Sequence, residues 1–220
     1  MNSRKLYLAI VIVTGLSYGC CFGYESDFEI RSSLNIIHSI NKHWDFELQE
    51  EFRLNDDGGT FYYQFSDFGL TYMGIGEWVE LGFNFRKIYE RASRDDWSSE
   101  NRPHLNLTFK GKLANFDISD NSRIEYRDRE EKKDEWRYRN KLTVKFPFEL
   151  TALKMRPYAA DEIFVNLYGE GITRNRLFSG FSFKVAENTK LDIFYLWQTS
   201  KADEEWDDVH ALGTKLTLSF

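Results

Sequence analysis

The 220-residue chain carries 35 acidic against 29 basic side chains, a formal net charge of −6, and has no Lys/Arg-rich tail, which excludes nucleic acid as its expected partner. Its length suits one domain without a linker, and an aromatic content of 17% is high for a soluble enzyme.

The N-terminus reads as a secretory signal peptide over residues 1–23. Arg4 and Lys5 form a basic head, and the apolar run 6–16 that follows is shorter than the ~20 residues a membrane-spanning helix requires. Cleavage after Gly23 places Cys21 and Gly23 at the third and first positions before the cut. The mature chain 24–220 then begins at Tyr24 and holds no cysteine, so no disulfide, thiolate nucleophile or cysteine-based metal site is expected. Lipidation at Cys20 is the competing outcome, disfavoured by the bulky Tyr18 nearby.

Beyond residue 23 the periodicity is two, not 3.6. Residues 27–37 form a first strand with poor alternation. Over 43–55, Trp44, Phe46, Leu48, Phe52 and Leu54 share one face, and Asp45, Glu47, Gln49, Glu51 and Arg53 the other. Asp56-Asp57-Gly58-Gly59 then makes a turn. The aromatic-rich run 60–73 is expected to close through a tight turn at Gly74-Ile75-Gly76. In 77–89, Val79, Leu81, Phe83 and Phe85 oppose Glu80, Gly82, Asn84 and Arg86. The polar segment 90–102 reads as a long loop, after which 103–112 sets Leu105, Leu107 and Phe109 against Asn106, Thr108 and Lys110.

The hairpin 123–146 alternates most clearly. Arg123, Glu125, Arg127, Arg129, Arg137, Arg139, Lys141, Thr143 and Lys145 fall on one side. Ile124, Tyr126, Trp136, Tyr138, Leu142, Val144 and Phe146 fall on the other. Residues 154–168 are less regular and contain Pro157, Glu162 and Asn166. In 173–185, Leu177, Phe181, Phe183 and Val185 oppose Arg176, Gly180, Ser182 and Lys184. Residues 190–200 carry Leu191, Ile193, Tyr195 and Trp197, the acidic segment 201–208 reads as a loop, and 209–220 ends on Phe220.

One face greasy and the other charged fits an antiparallel up-and-down transmembrane β-barrel of 10–12 strands with a polar, charged lumen. A closed barrel is required because strand edges cannot stay unpaired in hydrocarbon. Eleven segments can be read, yet single-chain bacterial barrels close with even numbers; the expectation is that 27–37 leaves the wall or that a twelfth strand is hidden. Segments 90–102, 130–135 and 201–208 should face outward. Trp44, Tyr72, Trp78, Phe116 and Phe220 then belong to a periplasmic girdle, and Phe61, Tyr126, Trp136, Tyr138, Tyr195 and Trp197 to an outer one. A soluble periplasmic β-barrel binding protein with one wet face would show the same period.

Several pieces occur in order: Arg123-x-Glu125-x-Arg127-x-Arg129, Arg137-x-Arg139, Arg156-Pro157-Tyr158 through to Glu162, Asn175-Arg176 and the terminal Phe220. Together they resemble the domain of unknown function 2490 family of bacterial outer-membrane β-barrels. The resemblance implies a bacterial outer-membrane location and no assigned activity. It also implies that Phe220 is read by the barrel-assembly machinery.

The expected lumen charge network comprises Asp45, Glu47, Glu51, Arg53, Arg86, Arg123, Glu125, Arg127, Arg129, Arg137, Arg139, Lys141, Glu162 and Arg176. Such a network either favours small anionic solutes in a narrow pore or pairs internally and braces the wall of a structural envelope protein. The rival class is a membrane-embedded lipid hydrolase. Of His38, His43, His104 and His210, only His210 tempts, sharing a face with Leu212 and neighbouring Thr199, and no serine motif accompanies it. Asp203, Glu204, Glu205, Asp207 and Asp208 lack the spacing and turn glycine of a Ca²⁺ loop, so no metal or cofactor is expected. The expected partners are outer-membrane lipid and lipopolysaccharide.

Overall fold

The computed structural model describes residues 27–93, 96–130, 132–202 and 205–220. The signal-peptide segment and Cys20 lie outside these residues, as do Asp203 and Glu204 of the acidic segment. Among the described residues the fold is all β, with eleven strands and no helix: β1 (Asp27–Asn41), β2 (Trp44–Asn55), β3 (Thr60–Gly76), β4 (Val79–Ser93), β5 (Asp96–Leu113), β6 (Phe116–Arg129), β7 (Glu135–Lys145), β8 (Arg156–Asn166), β9 (Gly171–Ala186), β10 (Thr189–Ala202) and β11 (Glu205–Ser219).

Each strand pairs antiparallel with its successor, and β1 closes the barrel against β11 in parallel, from Asp27↔Val209 to Ile37↔Ser219. This corrects the expectation of an even count. Residues 27–37 stay in the wall, and no twelfth strand lies among the described residues. An odd-numbered meander necessarily returns its last strand in the direction of its first, and a parallel ladder still pairs the backbone groups along that seam. The seam is extended by bonds from the Phe220 amide to the Ile37 carbonyl at 2.9 Å and from the Ser39 amide to the Phe220 carbonyl at 2.8 Å. Asp27 and Phe220 therefore sit at opposite mouths.

Two expected loops are strand instead. Over 90–102 the β4–β5 ladder continues through Glu90↔Ser98 and Arg91↔Trp97, and over 201–208 the β10–β11 ladder continues to Ala202↔Glu205. The inward alternation Ser98, Glu100, Arg102, His104 runs unbroken through Pro103, which faces out. Gly74-Ile75-Gly76 is likewise part of β3, and the turn follows at residues 77–78. A Cβ at Gly74 would meet the hydroxyl end of the Tyr72 ring, which would have to shift. The expected outward segments do share one mouth, but the longest connection, 146–155, lies at the other.

Sidedness follows the alternation. Phe46, Phe52, Phe68, Leu70, Phe83, Leu105, Phe109, Ile124, Leu142, Leu212 and Leu216 are exposed on the outer surface, whereas Arg31, Arg86, Arg102, Glu125, Arg137 and Glu162 are buried inside. A soluble barrel would need the reverse. Aromatic rings gather toward both mouths: Trp44 with Tyr72 at 4.8 Å and Trp78 with Phe109 at 6.0 Å at one, Phe61 with Trp97 at 5.4 Å and Tyr126 with Trp136 at 5.2 Å at the other. The outer surface also carries carboxylates, and several are met by a donor on the adjacent strand: Glu50 by Ser66 at 2.9 Å, Asp120 by Asn140 at 2.8 Å and Asp161 by Asn175 at 2.6 Å. These bonds give polar groups a partner among the apolar side chains of the exterior.

Candidate functional site

Antiparallel pairing places opposite charges directly across from one another inside the wall. Register sets Glu125 opposite Arg137, Asp67 opposite Arg86 and Glu162 opposite Arg176. At the centre is Glu125, 0% exposed. Arg137 meets its Oε1 at 2.5 Å, Arg139 its Oε2 at 3.4 Å and Arg102 lies 4.0 Å away. Arg139 continues to Glu162, which Arg176 approaches at 3.4 Å. Arg176 and Arg31 then share the Gln198 Oε1 at 2.7 and 3.3 Å, and Arg31 pairs with Glu29 at 2.7 Å. The contact of Arg31 on β1 with Gln198 on β10 carries this chain across the β1–β11 seam, and on the β3 side the Tyr62 hydroxyl donates to Glu29 at 2.6 Å. On the remaining wall, Glu100 accepts from Arg102 and Arg127, Arg127 also reaches Glu135 at 2.5 Å, and pairs join Arg86 to Asp67 at 2.7 Å and Arg53 to Glu51 at 2.6 Å.

Rings hold these guanidiniums in place from the other side. Phe164 is enclosed by Arg137, Arg139, Arg174 and Arg176 at 5.0, 4.6, 5.6 and 4.8 Å from its centroid. Arg53 lies 4.0 Å over Tyr63, and Arg86 3.7 Å over Phe65. A planar cation stacked on an aromatic face while its edge binds carboxylate has little rotational freedom left.

The network separates two cavities that share no lining residue. Toward the Asp27 mouth, a cavity of about 210 Å³ is lined by nine arginines, the glutamates Glu29 and Glu90, and the rings of Tyr62, Tyr63 and Phe164. Toward the Phe220 mouth, a cavity of about 120 Å³ is acidic and amide-rich, with Glu47, Asp67, Glu80, Asn84, Asn106 and Asn121 in its wall. Between them stand Glu125, Arg123, whose Nε donates to Asn106 at 2.6 Å, and His104, whose Nε2 is 3.5 Å from Asp67. Across the lumen, Phe178 and Phe194 pack at 5.6 Å, with Lys141 3.7 Å over Phe178.

Most of the residues expected in the lumen are joined by these contacts: Glu51, Arg53, Arg86, Glu125, Arg127, Arg137, Arg139, Glu162 and Arg176. Arg129 reaches Glu135 at 3.4 Å near the mouth. Glu47 stands apart, accepting from Thr71 at 2.8 Å in the acidic cavity. Asp45 Oδ1 and Arg123 Nη1 are buried with no partner among the described residues, and Lys141 meets a ring as described. Sequence reasoning missed Glu29, Arg31, Asp67, Glu100, Arg102, Glu135 and Arg174. The signal for Glu100 and Arg102 was the alternation running upstream through Pro103.

His210, the candidate base of the hydrolase reading, has its Nδ1 2.5 Å from the Tyr195 hydroxyl. Register pairs His210 with Trp197 and Thr199 with Asp208, so the expected threonine is not the group on the imidazole.

A family model described as "Protein of unknown function (DUF2490)" matches residues 30–209. No curated protein matches the chain. Among solved structures, the chain is similar to the translocator domain of autotransporter NalP from Neisseria meningitidis, at 9% identity and a TM-score of 0.41, with 94% of each chain covered.

Proposed function

This chain belongs to the DUF2490 family, and we propose that it is a bacterial outer-membrane β-barrel whose lumen is closed by its own arginine–carboxylate network, a structural envelope protein rather than an open pore. The observation that carries this reading is Glu125: at the middle of the lumen, its carboxylate is wholly enclosed by guanidiniums. A conducting path would need water beside these charges, since ions cross a pore only where hydration or lining groups replace their solvent shell. The membrane part of the reading is supported by the exposed leucine and phenylalanine exterior, the aromatic clusters at both mouths and the closed ring of paired strands. Outer-membrane lipid and lipopolysaccharide are then its immediate surroundings. The Phe220 ring, 63% exposed while its backbone is stitched into the seam, is available to the barrel-assembly machinery. We assign it no reaction.

In planar bilayers the purified protein is expected to give no stepwise current. Anion-selective steps from the wild type would overturn the closed lumen and restore the conduit reading. Topology offers a separate check, because the parallel seam sends Asp27 and the β5–β6 turn to opposite mouths. Single cysteines at Asp27 and at Ala114 are expected to differ on intact cells: a membrane-impermeant maleimide should label the first and not the second. Equal labelling would contradict an eleven-stranded membrane barrel.

A further inference from the structure

We infer that the arginine-lined cavity near the Asp27 mouth is a binding site for a small phosphate-bearing anion. The inference rests on the closed-lumen reading, since a blind cavity retains a ligand whereas a conduit passes it. Its nine arginines face the cavity with only Glu29 and Glu90 beside them, and the other carboxylates of the network, such as Glu125 and Glu162, pair with guanidiniums from outside its lining. Arg174 is the decisive residue. Its Nε donates to the Ser200 hydroxyl at 2.9 Å, and no carboxylate or further hydrogen-bond acceptor engages its Nη atoms among the described residues. It lines the same cavity as Arg53, Arg127 and Arg176. An uncompensated guanidinium is costly away from water, and an oxyanion that accepts two parallel N–H bonds is the partner its geometry matches.

Size and access narrow the class. A volume of about 210 Å³ is below the ~300 Å³ at which sites for drug-sized ligands begin, so phosphate, pyrophosphate or the phosphate of a small ester fits better than an extended chain. Tyr62 lines both this cavity and a wide groove at the β2–β3 turn, so the two adjoin at the Asp27 mouth, the side from which the anion would enter. The phosphate can arrive free in solution or at the end of a lipopolysaccharide headgroup.

The test uses the folded, full-length barrel in detergent at low ionic strength, with pyrophosphate as the probe in isothermal titration calorimetry. One site per chain is expected, with affinity lowered at least tenfold by Arg174→Gln and less by Arg174→Lys. Lys184→Gln, at the opposite mouth, should leave it unchanged. Removing Arg174 strands no carboxylate, so the variant should fold, and the heat-modifiable gel shift of a closed barrel verifies this. In a second arm, purified lipopolysaccharide is added: displacement of pyrophosphate assigns a lipid-borne phosphate, and no displacement a soluble one. Absence of pyrophosphate binding by the wild type, or binding indifferent to Arg174→Gln, overturns the site. A wild type that conducts yet binds pyrophosphate would refute the closed lumen alone, and a silent wild type that does not bind would refute the site alone.

Discussion

Replacing Glu125 with alanine is expected to destabilise the folded barrel by about 3–5 kcal/mol, the scale on which one partner of a buried ion pair is lost. Three arginines, Arg102, Arg137 and Arg139, converge on this one carboxylate, and all three are largely buried within the lumen. Arg137 has no other salt-bridge partner among the described residues, whereas Arg139 keeps Glu162 and Arg102 keeps Glu100. Removing both charges should therefore cost less than removing the carboxylate alone. The measurement is urea unfolding of the barrel in lipid vesicles for Glu125→Ala, Arg137→Ala and the double variant. If the two single losses simply added, Glu125 and Arg137 would be independent and the central role of the carboxylate would be wrong. The same variants examined in bilayers report on closure: Glu125→Ala should admit current that the wild type blocks.

The second large effect is on the outer surface. Leu105 is 50% exposed at mid-wall, between Phe83 on β4 and Ile124 on β6. Leu105→Arg is expected to cost about 2–4 kcal/mol, the depth-dependent penalty for a cation on the lipid face near the bilayer midplane. The same substitution at Thr108, three residues along β5 and facing the acidic cavity, should cost much less because Glu47 and Glu80 stand nearby. Folding of the two variants into vesicles, compared by gel shift and urea titration, separates a lipid-facing surface from a wet one. Equal costs would mean that the apolar exterior does not meet acyl chains, and the membrane assignment would fail with it.

How far the site could be read from the chain varies by strand. Along β6 and β7 the alternation is strict, so Arg123, Glu125, Arg127, Arg137 and Arg139 were placed inside without any knowledge of their partners. Along β1 the interior residues Glu29 and Arg31 are followed by Ser33 and Asn35, too mild a pattern to mark a face, and the strand looked dispensable. At the β4–β5 end, charge on both faces mimics a solvent-exposed loop. Polar residues on both faces around Glu100 and Arg102 predict a loop, yet the hydrogen-bonded ladder continues past them. Arg174 shares the inward face of Arg176, but nothing local distinguishes a paired arginine from an unpaired one.

The sequence by itself determined which strong residues share a face of the wall, since a strand turns successive side chains to opposite faces. It also determined the class, all-β with one charged and one apolar face, while the structure turned the charge inward. Only the tertiary structure decided the strand number, the parallel closure of β1 on β11, and which charges meet. Those depend on the stagger between strands far apart in the chain and on the width of the enclosed space, quantities to which a period of two is blind. Whether an arginine inside a barrel is braced by a carboxylate or left facing a cavity is settled by what stands beside and across from it.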